Sequence, residues 1–122
     1  MERPDEYALP SEYLTYGWCQ GALARQNDTP VLPGGLGATS WCVVGAIATS
    51  SMRGGIMQSQ GAALIDSLRH IVAALPAEWN DKVGRTQREA VLAMEEAEAS
   101  CGISRRFPKG EDKVASLHLS LR

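Results

Sequence analysis

The chain has 122 residues, 44% of them apolar and 21% charged, with a formal net charge of −2. That is enough chain for one domain around one core, and too apolar for disorder to be expected. The balance argues against a general nucleic-acid binder, and no apolar run approaches the roughly 18 residues of a membrane-spanning helix, so neither a nucleic acid nor a membrane is expected as a partner.

The start, Met1-Glu2-Arg3-Pro4-Asp5-Glu6, has neither the basic opening nor the apolar stretch of a signal peptide, and a cytosolic location is expected. The charge is uneven. Residues 1–100 carry 12 acids and 7 bases (−5), whereas residues 101–122 carry 2 acids and 5 bases (+3). This sets an expected helical domain over 1–102 against a basic C-terminal tail over 103–122.

Four helices are read in chain order. The first is expected over 11–25, with Ser11 as N-cap after Pro10, with Leu14, Trp18, Gly21, Ala22 and Arg25 on one face, and with Asn27-Asp28-Thr29-Pro30 as its stop. A Pro- and Gly-rich loop follows over 31–37. The second helix starts near Thr39 or Ser40 and ends at Gly54-Gly55. Trp41, Val43, Val44, Ala46, Ile47 and Ala48 make it apolar on nearly every side, as a central helix is. The third spans 58–75, with a stripe of Leu64, Leu68, Ile71 and Leu75, with Ile65 and Val72 beside it and His70 on the opposite side. The fourth begins at a capping box, Thr86-Gln87-Arg88-Glu89. It buries Ala90, Met94, Ala97 and Cys101, presents Glu95, Glu96 and Glu98 to solvent, and has Gly102 at the C′ position.

The tail reads two ways. Ala115, Leu117, Leu119 and Leu121 alternate with polar residues, as in a strand, while Val114, Leu117 and Leu121 also fit a short helix. The fold class is therefore mainly α: a compact four-helix domain around a central apolar helix, with a tail able to add a short strand.

Trp41-Cys42-Val43-Val44-Gly45-Ala46 is the most informative motif, and Trp18-Cys19-Gln20-Gly21-Ala22 is an approximate upstream copy. A Gly-Ala pair lets another backbone approach, and the tryptophan supplies buried area beside it. The motif therefore speaks to packing more than to chemistry. Cys19, Cys42 and Cys101 make an odd count without metal spacing, and His70 and His118 lie far from them in sequence, so reduced thiols, no metal and no cofactor are expected.

A catalytic alternative joins Cys42 to Asp81 or Asn80, with His70 as base. Against it, Cys42 lies in a strongly apolar stretch, His70 faces the wrong way, and no catalytic signature surrounds the thiol. Asn80 and Asp81 also suit capping or Asx-turns. Gly34-Gly35-Leu36-Gly37 precedes the second helix but lacks the lysine and the preceding strand of a phosphate loop. Arg105, Arg106, Phe107 and Lys109 form a basic patch with one aromatic, and with Leu117, Leu119 and Leu121 they are the candidate contacts to a protein partner or to a second copy of the chain.

These motifs resemble a family of small bacterial, phage and prophage proteins, a domain of unknown function. The resemblance rests on Trp18-x-Gln20-Gly21, Ala24-Arg25, Trp41-Cys42-x-x-Gly45-Ala46-Ile47, Trp79-Asn80-Asp81 and the helix from Thr86, and it covers about 13–99. It implies a compact helical domain in a bacterial host cell and carries over no catalytic residue. The expected function is a small cytosolic protein-binding domain, a phage or prophage accessory protein antagonising a host complex as an anti-CRISPR inhibitor does. The alternative is a small cysteine-dependent enzyme using Cys42.

Overall fold

A computed structural model describes residues 3–105 of the protein. In chain order the elements are α1 (Pro10–Tyr16), β1 (Ala24–Gln26), β2 (Thr29–Val31), β3 (Ser40–Trp41), α2 (Val43–Met52), α3 (Gln58–Val72), α4 (Pro76–Asn80) and α5 (Gln87–Ser100). The domain is mainly helical, as expected. Among the described residues the helices number five rather than four, and a small antiparallel sheet of order β2-β1-β3 accompanies them.

α1 is less than half the helix that the sequence suggests. Its N-cap is Leu9 rather than Ser11, and the Glu12 carboxylate accepts the Leu9 amide at 2.9 Å. It stops at Gly17, which is extended and lies flat against the next strand: a Cβ there would sit 2.1 Å from the Thr39 carbonyl oxygen. From Gly17 the chain runs beside Trp41. The Trp41 amide donates to Gly17 and the Cys19 amide donates to Trp41, both at 3.1 Å, forming a parallel bridge between Trp18 and Trp41. The two copies of the Trp-Cys motif are thus backbone partners and not two helices. Asn27-Asp28 does not end a helix but turns the β1–β2 hairpin, with Asn27 in the left-handed region at φ 56°, a conformation that asparagine tolerates.

α2 is the central helix, though it starts later than Thr39 or Ser40. Its N-cap is Cys42, and Ser40 and Trp41 form β3. The helix buries Val43, Gly45, Ala46, Ile47, Thr49 and Ser50 against α1, α3 and α4. Gly45 does what the small pair promised: a Cβ there would lie 1.8 Å from the Leu23 carbonyl oxygen, so only glycine lets the β1 approach cross this helix.

α3 supplies Leu64 and Leu68 to the core. Its expected stripe fails at Leu75, which is 50% exposed because the helix has already ended, at Ala73. Pro76 does more than stop α3; it occupies the first turn of α4, where its missing amide costs nothing.

α5 starts as expected. The Glu89 amide donates to the Thr86 hydroxyl at 3.2 Å and the Thr86 amide to the Glu89 carboxylate at 3.0 Å. The Thr86 amide, then its hydroxyl, hold the Glu89 carboxyl below its ordinary value. At the other end the Gly102 amide reaches the Ala99 carbonyl (3.1 Å) and the Ile103 amide the Glu98 carbonyl (2.9 Å), the paired bonds of a Schellman close, with Ile103 buried beneath.

Glu98 overturns the solvated-face expectation. It is 5% exposed, and its carboxylate accepts the Ser11 amide at 2.9 Å and the Ser11 hydroxyl at 2.6 Å. Burial, opposed by those two bonds, raises its pKa above the ordinary 4.5. The core closes around Tyr13, Leu14, Trp41, Val43, Ile47, Leu64, Leu68 and Met94, with Trp41 edge-on to Tyr13 at 4.9 Å. No helix among the described residues is long and apolar enough to cross a membrane.

Candidate functional site

Three of the residues singled out in the sequence, Cys42, Asn80 and Asp81, meet where α2 begins and α4 ends. Asn80 sits at the centre, fully buried. Its Oδ1 accepts the Trp18 indole N–H at 2.8 Å and the Val43 amide at 3.1 Å. Its Nδ2 donates to the Cys19 carbonyl at 3.1 Å and to Asp81 Oδ1 at 2.9 Å. An amide side chain offers two donors and two acceptor positions, and all four are used. Asp81, itself exposed, also takes the Gly21 amide at 3.0 Å, and Gln20 donates to the Asn80 carbonyl at 2.9 Å. Trp79-Asn80-Asp81 therefore fastens segment 18–21 to the first turn of α2.

Cys42 is 4% exposed, and its sulfur accepts the Gly45 amide at 3.3 Å, so the thiol caps α2. Burial pushes it above its ordinary value, against the pull of the Gly45 and Val44 amides. The first amides of α2 are thus taken by Asn80 and by Cys42, and the helix start offers no free cradle for an anion. Gly34 belongs to the loop before β3; its amide donates to the Thr49 hydroxyl at 2.9 Å. His70 does not join the site. It is exposed on α3, with Nδ1 2.9 Å from the Asp66 carbonyl. Among the described residues no three His, Cys, Asp or Glu side chains come together as a metal site would need.

The candidate partner contacts fare differently. Arg105 is engaged within the domain, with Nη1 at 2.6 and 2.8 Å from the Glu12 carboxylate and Nη2 at 2.8 Å from Asp5. With Ile103 buried as well, the packed region runs past 102, as far as Arg105. Arg106, Phe107, Lys109, Leu117, Leu119 and Leu121, and with them the strand or helix of the tail, lie outside the described residues.

Sequence reasoning missed an apolar surface. Leu32, Leu36 and Met52 are 83%, 79% and 67% exposed. The loop that carries the two leucines packs on α2 at Met52, with Gly34 so close that a Cβ there would be 2.6 Å from the methionine sulfur. Loop 32–37 is tied down by the Gly34–Thr49 bond and by the Arg3 guanidinium, which donates to the Leu36 and Ala38 carbonyls. The signal was present as two leucines in a Gly/Pro loop, where no packing partner is owed to them.

The arrangement defines a small α-rich domain in which the Asn80 side chain joins the segment after α1 to the start of α2. The chain belongs to a family of unknown function, DUF6197, whose model matches residues 12–100, from α1 through α5 with the whole Asn80 junction inside it. No curated protein and no solved structure matched the chain.

Proposed function

We propose that the chain is a small protein-binding domain, acting in a bacterial cytoplasm as a phage or prophage accessory protein that antagonises a host complex in the manner of an anti-CRISPR inhibitor. The observation that supports binding is the Leu32, Leu36 and Met52 surface. Large apolar side chains held out to water on a pinned loop favour a partner that covers them, and little loop ordering is left to oppose association. The setting rests on the resemblance of the Trp-Cys-x-x-Gly-Ala and Trp-Asn-Asp motifs. The basic residues after Arg105 are a second contact, suited to an acidic partner surface or a second copy of the chain.

The competing cysteine enzyme has less support, because Cys42 is buried, raised in pKa and occupied in capping, and His70 is elsewhere. Capture from bacterial host lysate, with the full chain, a Leu32→Asp/Leu36→Asp variant and a chain ending at Arg105 as baits, tests the reading. A partner held by the full chain and lost by a folded variant is the expected result. Identical capture by all three baits removes both surfaces from consideration. Rapid iodoacetamide labelling of Cys42 in the native protein would favour the enzyme.

A further inference from the structure

We propose that Cys19 and Cys42 are a redox pair, and that oxidation joins them in an intramolecular disulfide fastening segment 18–23 to the start of α2. The two thiols are 23 positions apart in sequence (42 − 19), yet the backbone brings them together. Trp18 and Trp41 are parallel bridge partners, and each is followed directly by a cysteine, Cys19 in the segment after α1 and Cys42 at the N-cap of α2. The Cys19 amide donates to the Trp41 carbonyl on one side of Cys42, and the Cys42 amide donates to the Leu23 carbonyl on the other, both at 3.1 Å. Segment 19–23 therefore wraps Cys42. Neighbouring parallel chains lie about 4.8 Å apart, inside the Cα spacing of roughly 4.4–6.8 Å that a disulfide spans.

The two thiols differ in access. Cys19 is 9% exposed and Cys42 4%, so Cys19 is the one nearer solvent. The oxidant is a small-molecule disulfide such as glutathione disulfide. The Cys19 thiolate attacks one of its sulfurs and expels a thiolate; the Cys42 thiolate then attacks the Cys19 sulfur and expels the second. One S–S bond forms in the protein, one breaks in the oxidant, two S–H bonds are lost, and the two protons end on the two released thiols. Two electrons pass from the cysteine pair to the oxidant. Burial raises both thiols, so the first attack is slow at neutral pH and quickens as pH rises. Cys101, at the end of α5, has no part in it.

The test equilibrates the full chain with excess glutathione disulfide at mildly alkaline pH, then denatures it, alkylates free thiols and maps the peptides by mass. The expected product is monomeric, with a Cys19–Cys42 cross-link that removes two hydrogens and carries no glutathione, while the freer Cys101 is found either alkylated or bearing one glutathione. Its melting temperature should rise by ~5 °C or more over the reduced chain, because the closed loop constrains the unfolded state. Cys42→Ser, which retains a capping side chain, and Cys19→Ser should each abolish the cross-link, while Cys101→Ser leaves it intact. Three alkylated cysteines at equilibrium, or a link through Cys101 or between chains, overturns the proposal.

Discussion

Asn80 and Glu98, both buried, join distant parts of this domain, and they do so with opposite chemistry. Asn80 is neutral and gives or receives four hydrogen bonds, from three different segments, so its burial leaves nothing unpaired. Glu98 joins α5 to the start of α1 through Ser11 alone, and Glu12 and Glu95 add like charge nearby. An amide can be fully compensated by donors and acceptors in a fixed frame, and no proton is exchanged in making it so. A buried carboxylate in a thin shell of donors keeps a cost of ionisation that folding must carry. Burying the Asn80 side chain therefore adds no pH dependence of its own, whereas burying Glu98 in the α1–α5 seam does.

The hardest blow to that contrast is Asn80→Asp. The substitution keeps the shape but turns two donors into an acceptor facing the Cys19 carbonyl and the Asp81 carboxylate. A loss of ~4 kcal/mol is expected, much of the stability of a domain this size. Urea unfolding near neutral pH measures it, and a midpoint close to that of the parent chain would mean that water reaches the junction.

Glu98→Gln addresses the other side. The folded pKa of Glu98 is raised above 4.5, so the folded state holds the proton more tightly than the unfolded chain does. The stabilisation is complete below about pH 4.5 and is lost as pH rises through the folded value. The parent should lose stability over that window relative to the glutamine variant, while the two differ by only ~1 kcal/mol in acid. Parallel stability-versus-pH curves would show that Glu98 ionises without penalty.

Thr86→Ala gives the smallest expected effect and the scale for an exposed tie. Losing the hydroxyl at the start of α5 should cost ~1 kcal/mol, since water can take over the freed amide. A loss as large as that of Asn80→Asp would erase the distinction between buried and exposed polar ties.

What the sequence revealed followed the range of the interaction that made it. The Thr86 box and the Gly102 close are written within a few residues, and both are found where expected. The all-round apolar character of α2 likewise marked the centre of the core. Ala24-Arg25-Gln26, by contrast, are good helix formers that become a strand because Trp41 and Val31 lie on either side of them. Tertiary pairing overrides propensity there. Glu98 reads as solvent-facing by periodicity, and nothing local reveals that Ser11, 87 positions away, is its partner. Trp79-Asn80-Asp81 stands out in the sequence, but its role depends on Trp18 and Val43, which only the folded chain brings to it.

The first and last described segments are tied to one another. Ser11 bonds Glu98, and Asp5 and Glu12 hold Arg105. An end that frays in most small domains is here half of a closure, so α1 has no means of loosening while α5 stays in place. Amide hydrogens of both helices should exchange with solvent deuterium at matched rates, through one opening that releases the two together, in place of the graded protection that decays toward independent chain ends.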